Sequence, residues 1–152
     1  MAIQVSGTTV VDNSRNLTNI VGADITGRLA IHDVSEGTYT TASRSGTIGI
    51  NNNTHAILRA TSSMNGNFVL NVVTDMDVND SCTCAFIAPM SSTAYYCTSV
   101  QVNGTTSGVS TRWIGGAPTE GTANADNVYT FTVIETSASN YLVLASLAAF
   151  EA

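Results

Sequence analysis

The chain has no lysine, and only 11% of its 152 residues are charged. Its five basic residues are Arg15, Arg28, Arg44, Arg59 and Arg112, set against seven Asp and four Glu for a net charge of -6. No basic stripe is available to neutralise phosphates, which excludes the electrostatic basis of nucleic-acid binding. The acidic balance likewise opposes attraction to an anionic membrane surface. Long apolar runs are missing too. The longest, "YLVLASLAAF" from Tyr141 to Phe150, is about half of what a membrane span needs, so no membrane insertion is expected. The opening "MAIQVSGTTV" lacks the basic and apolar regions of a secretory leader.

Cysteine is sparse and odd in number: Cys82, Cys84 and Cys97, with no CxxC spacing. Cys82 and Cys84 stand at i and i+2 on one strand face, where a mutual disulfide would be strained. Two histidines, His32 and His55, lie far upstream of them in sequence. This set does not assemble a four-ligand zinc site, so the thiols read as small apolar core groups in a reducing compartment.

What is abundant is Thr, Ser and Asn, about a third of the chain, together with 43% hydrophobic residues. Threonine suits strands, Ser and Asn suit turns, and the apolar share is enough to offset lost chain entropy. Segments "HAILRA", "FVLNVV", "CTCAFIA", "TAYYCTSVQV", "VSTRWI", "VYTFTVIE" and "YLVLASLAAF" follow one another from residue 55 onward, separated by Gly, Asn, Asp, Ser and Pro clusters. About seven strands at this spacing predict an all-β fold, an antiparallel β-sandwich. In "VYTFTVIE", Tyr129, Phe131 and Val133 share the core face, while Thr130 and Thr132 face away. The last run is expected to be a final buried strand.

Residues 1–53 read differently. They carry short strand-like pieces and a Thr/Ser/Gly-rich passage ending in "NNN", and few large side chains to bury. The expected organisation is an extended, β-rich N-terminal arm over residues 1–53 and a β-sandwich domain over residues 54–152. A hairpin alone is marginal in water, so the arm is expected to gain order from another chain. Val10, Val11, Leu17 and Ile20 are its candidate subunit contacts.

Few constellations carry chemistry. Asp75, Asp77 and Asp80 fall within six positions in "TDMDVND", close enough to share a hard cation, but the turn glycine and distal acid of a calcium loop are missing. A solvated turn is the reading, and no metal or other cofactor is expected. "WIGGAPTEG" is glycine-rich without a lysine or a following helix, which does not make a phosphate cradle. No GxSxG elbow accompanies the serines. No catalytic residue emerges, and an enzyme is not expected. Tyr96 and Trp113 are the candidates for stacking on a host glycan.

The opening "GTTVVDNSRNLTNI" resembles a segment that recurs in structural, tail-fibre-like proteins of tailed bacteriophages of marine cyanobacteria and related ocean bacteria. "NFVLNVVTDMDVNDS", "VQVNG", "WIGGAPTEG", "NVYTFTVIET" and "YLVLASLAAF" look like a β domain common in the same virions. The resemblance implies a non-enzymatic virion component, assembled as a homotrimer in the host cytoplasm, whose partners are its own copies and other tail or capsid proteins. Fibres of this kind are usually much longer, with shaft repeats that this chain lacks. That leaves a short tail fibre or appendage, with a capsid decoration protein or a glycan-binding attachment module as alternatives.

Overall fold

The computed structural model of the protein describes residues 3–5, 8–11 and 38–151. The chain divides into two compact units, Met1–Val34 and Ser35–Ala152. In the first, β1 (Ile3–Val5) and β2 (Thr8–Val11) form an antiparallel two-stranded sheet. Val10 and Val11 lie on β2, while Leu17 and Ile20 are outside the described residues.

The second unit is strand-rich, with no helix among the described residues. Its strands are β3 (Thr38–Thr41), β4 (Gly46–Asn51), β5 (Ile57–Ala60), β6 (Phe68–Val73), β7 (Ser81–Pro89), β8 (Cys97–Val102), β9 (Val109–Trp113), β10 (Ala125–Ser137) and β11 (Asn140–Glu151). They form a six-stranded sheet in the order β3-β5-β7-β10-β11-β9 and a three-stranded sheet in the order β4-β6-β8.

Strand direction corrects the antiparallel expectation. β4, β6 and β8 run parallel to one another, as do β3, β5 and β7. Only β7 with β10 and β10 with β11 are antiparallel, and β9 lies parallel to β11. From β3 to β9 the chain changes sheet at every step, through links of four to seven residues. Parallel neighbours need a crossover, commonly a helix. Here the crossover is a strand of the other sheet, so short links coexist with parallel pairing. The β10–β11 hairpin then inserts between β7 and β9.

The expected boundary at residue 53 also moves. β3 and β4, on the arm side of that boundary, pair with β5 and β6 in the second unit. The reason is visible in "GTIGIN": its two large apolar residues, Ile48 and Ile50, both point into the core and are buried. Two isoleucines on one face are enough to hold a short edge strand when a preformed core receives them.

The inner faces of the two sheets share one core. Ile48, Ile50, Phe68, Leu70 and Val72 from the smaller sheet join Phe86, Tyr129, Phe131 and Val133 from the larger. Phe68 makes edge contacts with Phe86, ring centroids 5.5 Å apart, and with Tyr129 at 5.4 Å. The Cys97 N–H donates to the Tyr129 hydroxyl at 3.3 Å, tying β8 to β10 across the core. On β10, Tyr129, Phe131 and Val133 are buried and Thr130 is exposed, as the alternation predicts. In "CTSVQV" the alternation breaks, and a register shift opposite Phe68 and Val69 restores it, so that Cys97, Val100 and Val102 all face inward.

Two further expectations are corrected. Tyr95 and Tyr96, expected inside the strand "TAYYCTSVQV", precede β8 and are both half-buried. Asn67 Oδ1 takes the Tyr96 N–H at 3.1 Å, outside any ladder. The final strand is buried only in its first half: Tyr141, Val143 and Ala145 face the core, while Ala148, Ala149 and Phe150 are exposed. β11 continues past the core because β10 pairs with it along its whole length, from Ala125 opposite Glu151 to Ser137 opposite Asn140.

Candidate functional site

The outer face of the six-stranded sheet carries the site. Side chains alternate along a strand, so the residues flanking the core-facing positions of β7, β10, β11 and β9 point away from the core. Register aligns them into rows. Thr83, Thr132, Leu144 and Arg112 stand opposite one another in succession across the four strands, and Ala85, Thr130 and Ser146 form the next row. Ile114 extends that second row, its N–H donating to the Ala145 carbonyl at 3.0 Å.

Between these rows lies a depression of about 420 Å³, with Leu144 in its floor and Arg112 and Ile114 at one end. Ile114 is 84% exposed and Leu144 45%. A second depression, about 280 Å³, runs on toward Ala56 and Ile57, and the two share Thr83 and Thr130 in their walls. Together they form a transverse trough from β9 to β5. Four strand spacings of about 4.8 Å give it a length of about 19 Å.

The chemistry of the trough is aliphatic and hydroxylic with one charge. Thr83 and Thr132 hydroxyls face each other at 3.5 Å, and Thr130 and Ser146 share a hydrogen bond. Among the described residues Arg112 is the only charged side chain in the lining. Antiparallel sheets with one solvated face usually show polar residues there. Here Ile57, Leu144 and Ile114 face outward instead.

The wall at Ile114 belongs to the loop between β9 and β10. Gly115 and Gly116 turn it with φ of 78° and 99°, a region that glycine occupies without strain. The far end of the loop is pinned by Asn127, which is fully buried. The Thr122 N–H donates to Asn127 Oδ1 at 2.8 Å, and Asn127 Nδ2 donates to the Thr122 carbonyl at 2.8 Å. Gly121 sits against the Tyr95 carbonyl so closely that a Cβ there would lie 2.3 Å from the oxygen. Gly121→Ala and Asn127→Ala are each expected to lower stability by about 2–3 kcal/mol, the first by a backbone clash and the second by stranding buried polar groups. Urea denaturation of the full chain measures both. A loss below about 0.5 kcal/mol for Asn127→Ala would mean that the loop is not held this way.

The other expected residues fall elsewhere. Trp113 lines the trough, but its ring packs edge-on against Tyr129 and Phe131, with centroids 6.3 and 5.9 Å away. Its ring belongs to the core side of β9 and is not a flat stacking platform. Tyr96 does not line the trough and sits beside Asn67 and Phe68. Asp75, Asp77 and Asp80 occupy the link between β6 and β7. There the Asp77 N–H donates to Asp80 Oδ2 at 3.4 Å and the Asp80 N–H to the Asp77 carbonyl at 2.9 Å. Among the described residues no group of three or more His, Cys, Asp or Glu is placed to hold a metal.

Cys84 and Cys97 are buried, free thiols, pushed up to about 12 and about 11 first of all by that burial. Such groups stay protonated and unreactive at neutral pH. His55 stacks on Tyr39 at 4.4 Å, and its Nδ1 lies 2.9 Å from the Thr54 hydroxyl.

Sequence reasoning passed over Arg112, Leu144, Thr83, Thr130, Thr132 and Ser146. One signal was present: "YLVLAS" is apolar at consecutive positions where its partner strand alternates, so one of its two faces had to put Leu outward. Compared with known proteins, the chain matches no family model, no curated protein and no solved structure.

Proposed function

We propose that the protein is a non-enzymatic structural subunit of a bacteriophage virion, a homotrimeric part of a tail fibre or short appendage. Its N-terminal unit docks on the particle, and its second unit, two sheets sandwiching one core, faces outward. The observation that supports this reading most is the contrast between the two units. The described structure of the first is a single two-stranded hairpin, whereas the second holds a core of both sheets. A hairpin alone is marginal in water and gains stability by packing on or pairing with further strands, which other chains supply in an assembly. The resemblance of "GTTVVDNSRNLTNI" to virion segments supports the same assignment.

The test is the mass of the full chain in solution. Sedimentation equilibrium is expected to give three chains per particle, and Val10→Asp with Val11→Asp to dissociate them. A stable monomer with a protected N-terminal hairpin would sink the proposal. Decoration of the capsid is the second location. It is separated by copy number, since a decoration protein is present in hundreds of copies per virion and a fibre in tens at most. Densitometry against the major capsid protein reads that difference.

A further inference from the structure

We infer that Asn65 is a site of spontaneous chemical modification: its side chain closes on the Gly66 backbone nitrogen, loses ammonia and ends as aspartate or isoaspartate, while the fold protects the same pair at Asn103 and Gly104. The inference goes beyond the virion assignment and does not depend on it, because both sites lie in the second unit and the chemistry needs only water.

The chain contains two Asn-Gly pairs, Asn65 with Gly66 and Asn103 with Gly104. Glycine has no Cβ to obstruct its nitrogen, which makes this pair the one most open to ring closure. The glycine nitrogen gives its proton to hydroxide and attacks the asparagine Cγ. The new N–C bond closes a cyclic imide, and Nδ2 leaves as ammonia with a proton taken back from water. Water then opens the ring. Breaking the bond from nitrogen to Cγ restores the original chain with an aspartate in it. Breaking the bond from nitrogen to the main-chain carbonyl carbon gives isoaspartate, whose Cβ and Cγ now belong to the backbone. No oxidant or reductant takes part.

The fold gives these two identical pairs opposite surroundings. At Asn103 both reactants are tied down: the Thr74 N–H donates to Asn103 Oδ1 at 3.0 Å, and the Gly104 N–H donates to Asn71 Oδ1 at 2.7 Å. The Asn103 N–H is held as well, by the Val72 carbonyl at 2.9 Å. Ring closure there must first free the electrophile from one neighbour and the nucleophile from another. Asn65 is exposed and lies in the link between β5 and β6. Its N–H donates to the Arg44 carbonyl at 3.1 Å, but among the described residues no hydrogen bond engages its side chain or the Gly66 N–H. Arg44 Nη1 donates to the Ser63 carbonyl at 3.3 Å, which puts a cation on the same link, where it favours the negative charge that develops during attack.

The modification reaches the core through its neighbours. The link is fixed on both sides of Asn65, by the Met64 N–H on the Pro89 carbonyl at 2.9 Å and the Phe68 N–H on the Tyr96 carbonyl at 3.2 Å, and both side chains are buried. Isoaspartate lengthens this span at the entry to β6. Gly66 has little room to take up the slack, since a Cβ on it would lie 3.0 Å from the Ser45 Cβ.

The test is incubation of the full chain at pH 8, folded and, in parallel, in concentrated urea. Trypsin, cutting after Arg59 and Arg112, releases residues 60–112 with both pairs on one peptide, and its fragmentation mass spectrum reads the conversion of each asparagine. In the folded chain Asn65 is expected to convert at least about 10-fold faster than Asn103, which must break two hydrogen bonds first. In urea the two rates are expected to converge. Asn65→Gln, at an exposed side chain free of hydrogen bonds, is expected to remove the fast conversion and leave the rate at Asn103 unchanged. The isoaspartyl fraction of aged chain is expected to melt below fresh chain, and equal melting would overturn the effect on β6. Equal rates in the folded chain, faster conversion at Asn103, or an intact Asn65 in folded chain while the urea sample converts overturns the inference. A difference that persists undiminished in urea does so too, because the selectivity would then lie in the flanking sequence.

Discussion

Phe68→Ala is expected to cost about 3–5 kcal/mol, the range for a fully buried phenylalanine, and so to remove a large part of the stability of the second unit. Phe68 is 1% exposed and is the ring through which the smaller sheet meets the larger one. Its loss leaves a cavity lined by Phe86 and Tyr129, whose rings belong to strands held in place by their own ladders and cannot collapse into it. For a unit of this size each kcal/mol lowers Tm by about 4 °C, so a fall of at least about 12 °C is expected. Phe68→Leu, which keeps most of the volume, should lose less than half as much. A fall of under 4 °C for Phe68→Ala would mean that the sheets are not joined through this ring. Scanning calorimetry of the full chain distinguishes the outcomes.

The second large effect is alkaline. Cys84 and Cys97 ionise in the folded protein only near about 12 and about 11, against an ordinary value of 9.0, because burial withdraws water from the thiolate. Below pH 9 both thiols are protonated in folded and unfolded chains, and their contribution is fully present. As pH rises above 9, the unfolded chain releases protons that the folded chain retains, so stability falls up to the folded values. Each thiol contributes a slope of up to about 1.4 kcal/mol per pH unit in that window. Tyr129 adds to it, since burial raises its phenol while its hydrogen bond from the Cys97 backbone only partly compensates. With no lysine in the chain, no ammonium group titrates there to obscure the slope. Urea midpoints at pH 8, 9, 10 and 11 measure it. They are expected to be level from 8 to 9 and to drop beyond, with Cys84→Ala starting lower but declining less steeply. A midpoint that stays level to pH 11 would contradict the burial of these thiols.

Much of the fold was legible because strands announce themselves locally. "FVLNVV" is β6 without adjustment, and the alternation in "VYTFTVIE" put Tyr129, Phe131 and Val133 in the core. Asparagine richness was legible as turns, and Asn79, Asn103 and Asn124 take the positive φ that a short polar side chain tolerates. The edge strands β3 and β4 were harder to see. Threonine and glycine dominate them, and only Ile48 and Ile50 mark the buried face.

Pairing direction was not legible, because a strand with one buried face shows the same alternation whether its neighbour runs parallel or antiparallel. The short links suggested hairpins. They serve equally well when each strand crosses to the opposite sheet, a choice made only when both sheets close on a common core. The trough has the same origin. Thr83, Thr132, Leu144 and Arg112 come from four strands far apart in sequence, and only the register between those strands sets them side by side.

Composition and local pattern by themselves determined that the chain builds strands and turns, and which side chains of the regularly alternating strands β6 and β10 are buried. These follow from each residue's own preference for water or for a pleated surface. Tertiary structure alone decided the parallel order, the inclusion of residues 38–51 in the second unit, and the alignment of one arginine with a row of hydroxyls across the sheet. Those depend on register between strands distant in sequence, which is fixed by the fit of the whole core and leaves no local mark.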